Sequence, residues 1–141
     1  MIAVYLDGKK DDLNDCYKIR YEVFELEQKV PHELEFDDID GNCGHAVVYT
    51  DNKEPAATAR LIDKGLGKYK IGRVATIKKF RKQGYGEAAM KLLMDKVEEM
   101  QGKEILIEAQ LTATDFYKRL GFKEYGEVFL DAGIKHRRMK L

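Results

Sequence analysis

Cysteine is scarce in this chain: of its 141 residues only Cys16 and Cys43 carry a thiol. Neither belongs to a CxxC pair, and neither groups with His32, His45 or His136 at the spacing of a metal site. This predicts reduced, structural thiols, a cytoplasmic location and no metal. An excess of one charge is missing too. Lys and Arg together number 25, and so do Asp and Glu. No net field therefore draws the chain to nucleic acid or to an anionic membrane surface. Long apolar runs are absent: no window nears the ~20 apolar residues of a membrane span. The start, MIAVYLDGKK, turns charged after a few residues, so a soluble, unprocessed protein is predicted. Proline occurs only at Pro31 and Pro55, and with no repeat or low-complexity segment nothing reads as an interdomain linker. A chain of this length closes one core, so residues 1–141 are read as a single domain.

What is present is a clear succession of periods. Over residues 11–30, Leu13, Cys16, Tyr17, Val23 and Phe24 share one helical face, with Asp11 or Asp12 as cap. Arg20 lies between Cys16 and Phe24 at steps of four, so its stem shares the apolar side while its guanidinium reaches past. Residues 31–44 form an acidic, turn-rich loop with Glu33, Glu35, Asp37, Asp38 and Asp40. These carboxylates are suited to a cation or a cationic substrate, or simply to solvent; the spacing lacks the Gly and terminal Glu of a calcium loop. HAVVYT, EPAATARLID and KYKIGRVATI then read as an antiparallel meander over 45–77, turned by the glycines of DKGLGK. A helix follows from the glycines at 84 and 86, with Ala89, Leu93, Val97 and Met100 on one face and Gly102 as its stop. KEILIEAQ is a buried strand, TDFYKRLGF a short helix, and the tail from Glu127 supplies two last strands. The predicted order is α, β, β, β, α, β, α, β, β.

The stretch RKQGYG sits where the meander gives way to the long helix. A strand end, a glycine loop and a helix start together present unpaired backbone N–H groups, which with the helix dipole bind phosphate oxygens. It is not a Walker loop, since Gly86 is followed by Glu87 and Ala88 rather than Lys-Ser/Thr. Nor is it a dinucleotide fingerprint: the third glycine position is Ala89, and an antiparallel meander precedes it.

Arg81-x-x-Gly84-x-Gly86 instead resembles the pyrophosphate loop of the GNAT acetyltransferases. The resemblance continues upstream, where Val74, Ala75 and Thr76 hold the place of the run whose backbone pairs with the pantetheine arm. Downstream, Gln110, Ala113, Tyr117 and Gly121-Phe122 match the family's second half, save that Gln110 stands for an Asn that usually contacts the cofactor. Arg20, Val23-Phe24, Glu27-Gln28, Pro31, His45, FLDAGIKH and Met139 are similar to the ElaA/YjcF-like subfamily, so the likeness spans nearly the whole chain.

The resemblance implies an α+β fold of three layers, with a mixed, largely antiparallel central sheet flanked by helices and splayed at an acetyl-CoA site. It implies direct transfer of an acetyl group from acetyl-CoA, the co-substrate, to a small-molecule or peptide amine. Backbone N–H groups from Lys82 through Gln83, Gly84, Tyr85 and Gly86 to Glu87 would hold the pyrophosphate, with Arg81 shaping the loop or adding charge and Lys82 reaching a phosphate. Tyr117 would return a proton to the leaving thiolate, because a phenol with pKa near ~10 stays protonated at neutral pH. Arg20, Glu27 and Gln28 would line the acceptor pocket under the acidic loop. Glu27, Glu108 and His45 are candidate bases; Glu108, which interrupts the apolar strand ILIEA just beyond the cofactor loop, stands out by position, and no base is assigned. The rival readings are a non-catalytic acyl-CoA-binding module or sensor, and an interaction domain in which RKQGYG is only a helix-start turn. A homodimer through the C-terminal strands is left open.

Overall fold

The computed structural model describes residues 1–141. It begins with a strand that the sequence reading did not contain, β1 (Ile2–Asp7), laid antiparallel on β2 (Gly44–Tyr49) from Ile2 opposite Tyr49 to Asp7 opposite Gly44. Its alternation explains the position: Val4 and Leu6 face one core cluster and Tyr5 the other. The helix predicted over 11–30 is shorter and changes pitch. It runs as α1 (Asn14–Arg20) and widens into a π-helix (Tyr21–Glu27), in which the Gln28 N–H bonds back five residues to the Val23 carbonyl. The acidic loop holds one short helix, α2 (His32–Glu35), and a 3₁₀ turn (Asp40–Asn42).

Seven strands then make one sheet in the order β1-β2-β3-β4-β5-β7-β6. β3 (Pro55–Gly65) pairs antiparallel with β2 and with β4 (Lys68–Thr76), and β7 (Ile134–Lys140) pairs antiparallel with β6 (Lys123–Asp131) and with β5 (Glu104–Gln110). Only β4 and β5 run parallel, as a crossover helix between them requires. That helix is α3 (Tyr85–Glu99). Its end is made differently from the expected glycine stop: Gln101 takes the left-handed φ of 58°, while Gly102 is needed for room. A Cβ on Gly102 would come within 2.5 Å of the Val97 side chain.

Both faces of the sheet are covered, which gives three layers. On one face Ala89, Met90, Leu93 and Val97 of α3 meet Ala57, Ala59, Leu61, Ile71, Ile105 and Ile107, with Tyr117 from α4 (Thr114–Arg119) and Phe122. On the other, Cys16, Ile19 and Val23 cover Val47, Ala75 and Ile77. Cys16 and Cys43 are both free and buried. No helix is long and apolar enough to cross a membrane.

The feature that positions the site is a failed pairing. β4 and β5 are in register only from Lys68 with Glu104 to Ile71 with Ile107. Beyond that point β4 bulges: Gly72 opposes Arg60 and Ala75 opposes Thr58, so Arg73 and Val74 share one place opposite Ala59. Arg73 takes a positive φ of 49°. A bulge bends and twists its strand; here β4 turns away from β5, and a cleft opens between Gly72–Thr76 and Glu108–Gln110.

Candidate active site

The cleft encloses about 880 Å³ and runs from the start of α3, between the splayed strands, to the β6–β7 hairpin. Its first wall is the loop after β4. Through a 3₁₀ turn (Lys78–Phe80) the chain reaches Arg81, then takes left-handed φ at Lys82 (63°) and at Gly84 (89°), the N-cap of α3. Successive amides turned this way form a concave nest for anions. Backbone N–H groups from Lys82 to Glu87 find no acceptor in the protein; the first that does is Ala88, bonded to the Gly84 carbonyl. No side chain caps the helix. A free row of donors at the positive end of a helix dipole is an anion site.

The glycines serve two different ends. Gly84 supplies the left-handed turn. Gly86 supplies space, since a Cβ there would lie 3.0 Å from Thr76 Oγ1; without a side chain the helix start closes onto the end of β4. Val74, Ala75, Thr76, Arg81, Lys82, Gly84, Tyr85, Gly86 and Glu87 all line the cleft. Gln83 does not, and its side chain instead donates to the Lys79 carbonyl, which leaves only its backbone for a ligand.

Arg81 shapes the loop. Its guanidinium forks onto Glu27, Nη1 at 2.7 Å and Nη2 at 2.6 Å, while Nε donates to the Thr76 carbonyl at 3.0 Å. The loop, the end of β4 and the π-helix are thereby tied together. Hydrogen bonding to Arg81 holds the Glu27 carboxyl below the usual range, and Glu27 does not line the cleft. Its expected place in the acceptor pocket is therefore corrected, because the fork turns it outward. The next residue, Gln28, ends the π-helix and lines the cleft, where it and Gln110 exchange amide hydrogen bonds of 2.9 and 3.4 Å. The residue standing for the family's Asn is thus already engaged by a neighbour across the cleft.

Arg20 is likewise corrected. It is 1% exposed, and burial with three carboxyl-bearing loop residues nearby explains where it went. Its guanidinium bonds Glu35 and Asp40, Arg60 bonds Asp37 and Asp40, and Arg73 bonds Asp37 and the Glu35 carbonyl. Burial pushes the Asp40 carboxyl up, but Arg20 and Arg60 outweigh it and hold it below the carboxylate range. Much of the acidic loop is therefore clamped as a roof over the cleft, with Leu34 and Glu35 on its underside.

Tyr117 lines the opposite wall from α4. Its ring packs edge-on against Phe116 and Phe122 at 5.0 and 6.2 Å. Burial alone raises its pKa above that of a free phenol, so the hydroxyl keeps its proton throughout the neutral range, and no protein group takes up that proton in a hydrogen bond. Of the three candidate bases, His45 is buried with its ring Nε2 2.9 Å from the Asp40 carbonyl, away from the cleft. Glu108 lines it, bound to Lys70 at 2.7 Å. His136 of β7 also lines it, and the sequence reading passed it over. Its alternation with Arg138 on β7, opposite Gln110 and Glu108 on β5, is the signal that places it there. No cluster of His, Cys, Asp and Glu is arranged to hold a metal.

Comparison with known proteins bears on the family and the fold. The family model described as an acetyltransferase (GNAT) domain matches residues 11–141. YjcF of Bacillus subtilis, named as an uncharacterized N-acetyltransferase, is 35% identical over 131 residues, covering 92% of each chain. Among solved structures, an acyl-CoA N-acyltransferase from Pseudomonas aeruginosa is 28% identical with a TM-score of 0.85, covering 99% of this chain and 97% of its own. Escherichia coli ElaA is 25% identical with a TM-score of 0.87, covering 99% of both.

Proposed function

The chain belongs to the acetyltransferase (GNAT) family, and from that premise we propose that this acyltransferase moves the acetyl group of acetyl-CoA directly onto a primary amine. The observation that carries the reading is one cleft with two ends of matched chemistry. The unpaired amides of Lys82 to Glu87 open at one end and suit the pyrophosphate. Tyr117 stands inside with its proton unspent.

Between them the unpaired edge of β4, from Gly72 to Thr76, receives the pantetheine arm along its backbone, as a further strand would pair. Gln110 on β5 bounds the other side. On this reading the thioester lies near Tyr117 and the amine beneath the roof, where Leu34, Val30 and Phe24 offer apolar surface and Glu108 and Asp131 offer negative charge. Holding both reactants here makes attack effectively unimolecular. The amine nitrogen attacks the carbonyl carbon, the C–S bond breaks, and Tyr117 protonates the thiolate. A phenol suits that task because it still holds its proton at neutral pH and can donate it to the sulfur as the C–S bond breaks.

Isothermal titration with acetyl-CoA and with CoA, followed by thiol release over a panel of primary amines, tests the proposal. Saturable binding is expected, with turnover of at least one amine. Tyr117→Phe should lower kcat about 10²- to 10⁴-fold and leave the acetyl-CoA Kd within a factor of about two, a factor worth about 0.4 kcal/mol. Absence of CoA binding by the folded protein would sink the reading. Tight binding with no turnover on any amine would make the chain an acyl-CoA-binding module instead.

A further inference from the structure

We infer that His136 is the group that takes the proton from the acceptor amine, an assignment that rests on the acyl-transfer reading above and supplies the base it leaves unnamed. His136 lies on β7 across from Gln110, on the sheet face that opens into the cleft. It is 8% exposed. Its Nδ1 is 2.7 Å from the carbonyl oxygen of Ile134. A carbonyl only accepts, so Nδ1 carries the hydrogen and Nε2 keeps its lone pair. Nε2 has no hydrogen-bond partner, and it is not sealed in the interior either, since the only fully buried side-chain polar atom without a partner is Arg60 Nε. The free lone pair is therefore reached through the cleft that the residue lines. Stacking on Phe129, with ring centroids 5.7 Å apart, fixes the plane of the imidazole.

The remaining candidates are each spent. Glu27 is forked by Arg81, and the ring Nε2 of His45 is bonded to a buried carbonyl. Burial pushes the Glu108 carboxyl up, but its hydrogen bond to Lys70 outweighs this and leaves it below the usual range, where a carboxylate holds a proton poorly. The charged groups on this side are Glu108 of β5, on whose carboxyl His136 acts, Arg138 two residues along β7 with its guanidinium over the Phe129 ring, and Asp131 at the end of β6; Arg119 of α4 lines the same cleft, and Lys70 reaches Glu108. Glu108 and Asp131 favour an ammonium approaching the imidazole, and Lys70 keeps Glu108 from competing for its proton.

The step balances as follows. The ammonium passes one proton to Nε2, and the freed lone pair forms the N–C bond to the acetyl carbon. Collapse of the tetrahedral species breaks the C–S bond, and Tyr117 gives its proton to the sulfur. The amide nitrogen loses its second proton through solvent to restore Tyr117, and the imidazolium releases the first to solvent. Thioester and ammonium become amide, free thiol and one proton.

The test is a pH profile of kcat/KM between pH 5 and 9, read by thiol release, for wild type, His136→Asn and His136→Gln. The probes are phenethylamine, tryptamine, spermidine and a lysine-bearing peptide, and acetyl-CoA Kd is measured in parallel. Asn retains an N–H where Nδ1–H bonded Ile134, so the hairpin stays in place. Wild type should lose rate on the acid side of the profile, because a base that already holds a proton cannot take another. His136→Asn should be about 10²-fold slower at pH 7, without that limb, and with acetyl-CoA binding and melting temperature unchanged. His136→Gln repeats the test should Asn fail to fold. A wild-type profile with no loss of rate on its acid side, or a folded variant with the wild-type rate and profile, overturns the assignment alone. No turnover of any amine by wild type overturns the acyl-transfer reading and this assignment together.

Discussion

The acidic roof, residues 31–43, and the glycine loop, residues 81–87, lie on opposite sides of one cleft and hold their shapes by opposite means. The roof is held by side chains. Its carboxylates are matched by Arg20, Arg60 and Arg73, which come from α1, β3 and β4. The loop is held open by the lack of side chains at Gly84 and Gly86, and what it offers is backbone. Where side chains do the holding, a single deletion strands several buried charges; where backbone does the holding, damage comes from adding atoms.

The largest expected effect is therefore in the roof. Asp40 is buried and accepts from Arg20 and from Arg60, and its backbone carbonyl meets His45. Asp40→Ala leaves two guanidiniums in the interior without that partner and should cost about 3–5 kcal/mol of unfolding free energy, measured by urea denaturation at pH 7. The pH dependence follows from the same contact. Asp40 and Asp37 are both held below the carboxylate range by the arginines against an opposing burial. A depressed folded value means that the stabilisation is complete above the unfolded value, near pH ~4, and is lost as pH falls through the folded one. Wild type should lose stability steeply below pH ~4, and Asp40→Ala should show a shallower acid slope. An unchanged slope would mean that the roof is not held by these pairs.

The loop should behave in the reverse way. Gly84→Asp with Gly86→Asp adds a side chain at φ 89° and another 3.0 Å from Thr76 Oγ1, and sets carboxylates where phosphate oxygens would lie. Acetyl-CoA should bind at least about 100-fold more weakly, a loss of about 2.7 kcal/mol, while circular dichroism keeps its native form. Retained affinity would place the cofactor elsewhere and break the comparison.

This contrast also explains what the sequence made legible. The loop could be read because its requirement is local: glycines at fixed spacing before a helix. The mixed sheet, the long helix and the position of Tyr117 followed in the same way from periods and from family resemblance. The roof could not be read, because Arg20, Arg60 and Arg73 are brought to Glu35, Asp37 and Asp40 only by folding. An arginine expected to point into the acceptor pocket was instead consumed in the interior. β1 was missed because six residues at the start of a chain gain their meaning from β2, although the alternation of Ile2, Val4 and Leu6 was there to be seen. His136 belongs to the same class, since one histidine in a strand has no direction until the register with Gln110 supplies it.

The smallest expected effect falls on the contact that joins the two means of support. Arg81 is a loop residue that acts by its side chain, forked onto Glu27 and bonded to the Thr76 carbonyl. Both members are about one-third exposed, so the pair itself is worth little, roughly 0.2–1 kcal/mol. Its value lies in where it holds the amides. If Arg81 works by anchoring, Glu27→Ala frees the loop and weakens acetyl-CoA binding by about two- to fivefold, within the 1 kcal/mol the pair can supply. Arg81→Ala should do the same, and the double variant should be no worse than either. If Arg81 instead reached a phosphate directly, removing Glu27 would delete a competing negative charge and release the guanidinium, and binding would tighten. The two roles thus differ in the sign of a single measurement, the acetyl-CoA Kd of Glu27→Ala at low ionic strength, where screening hides least.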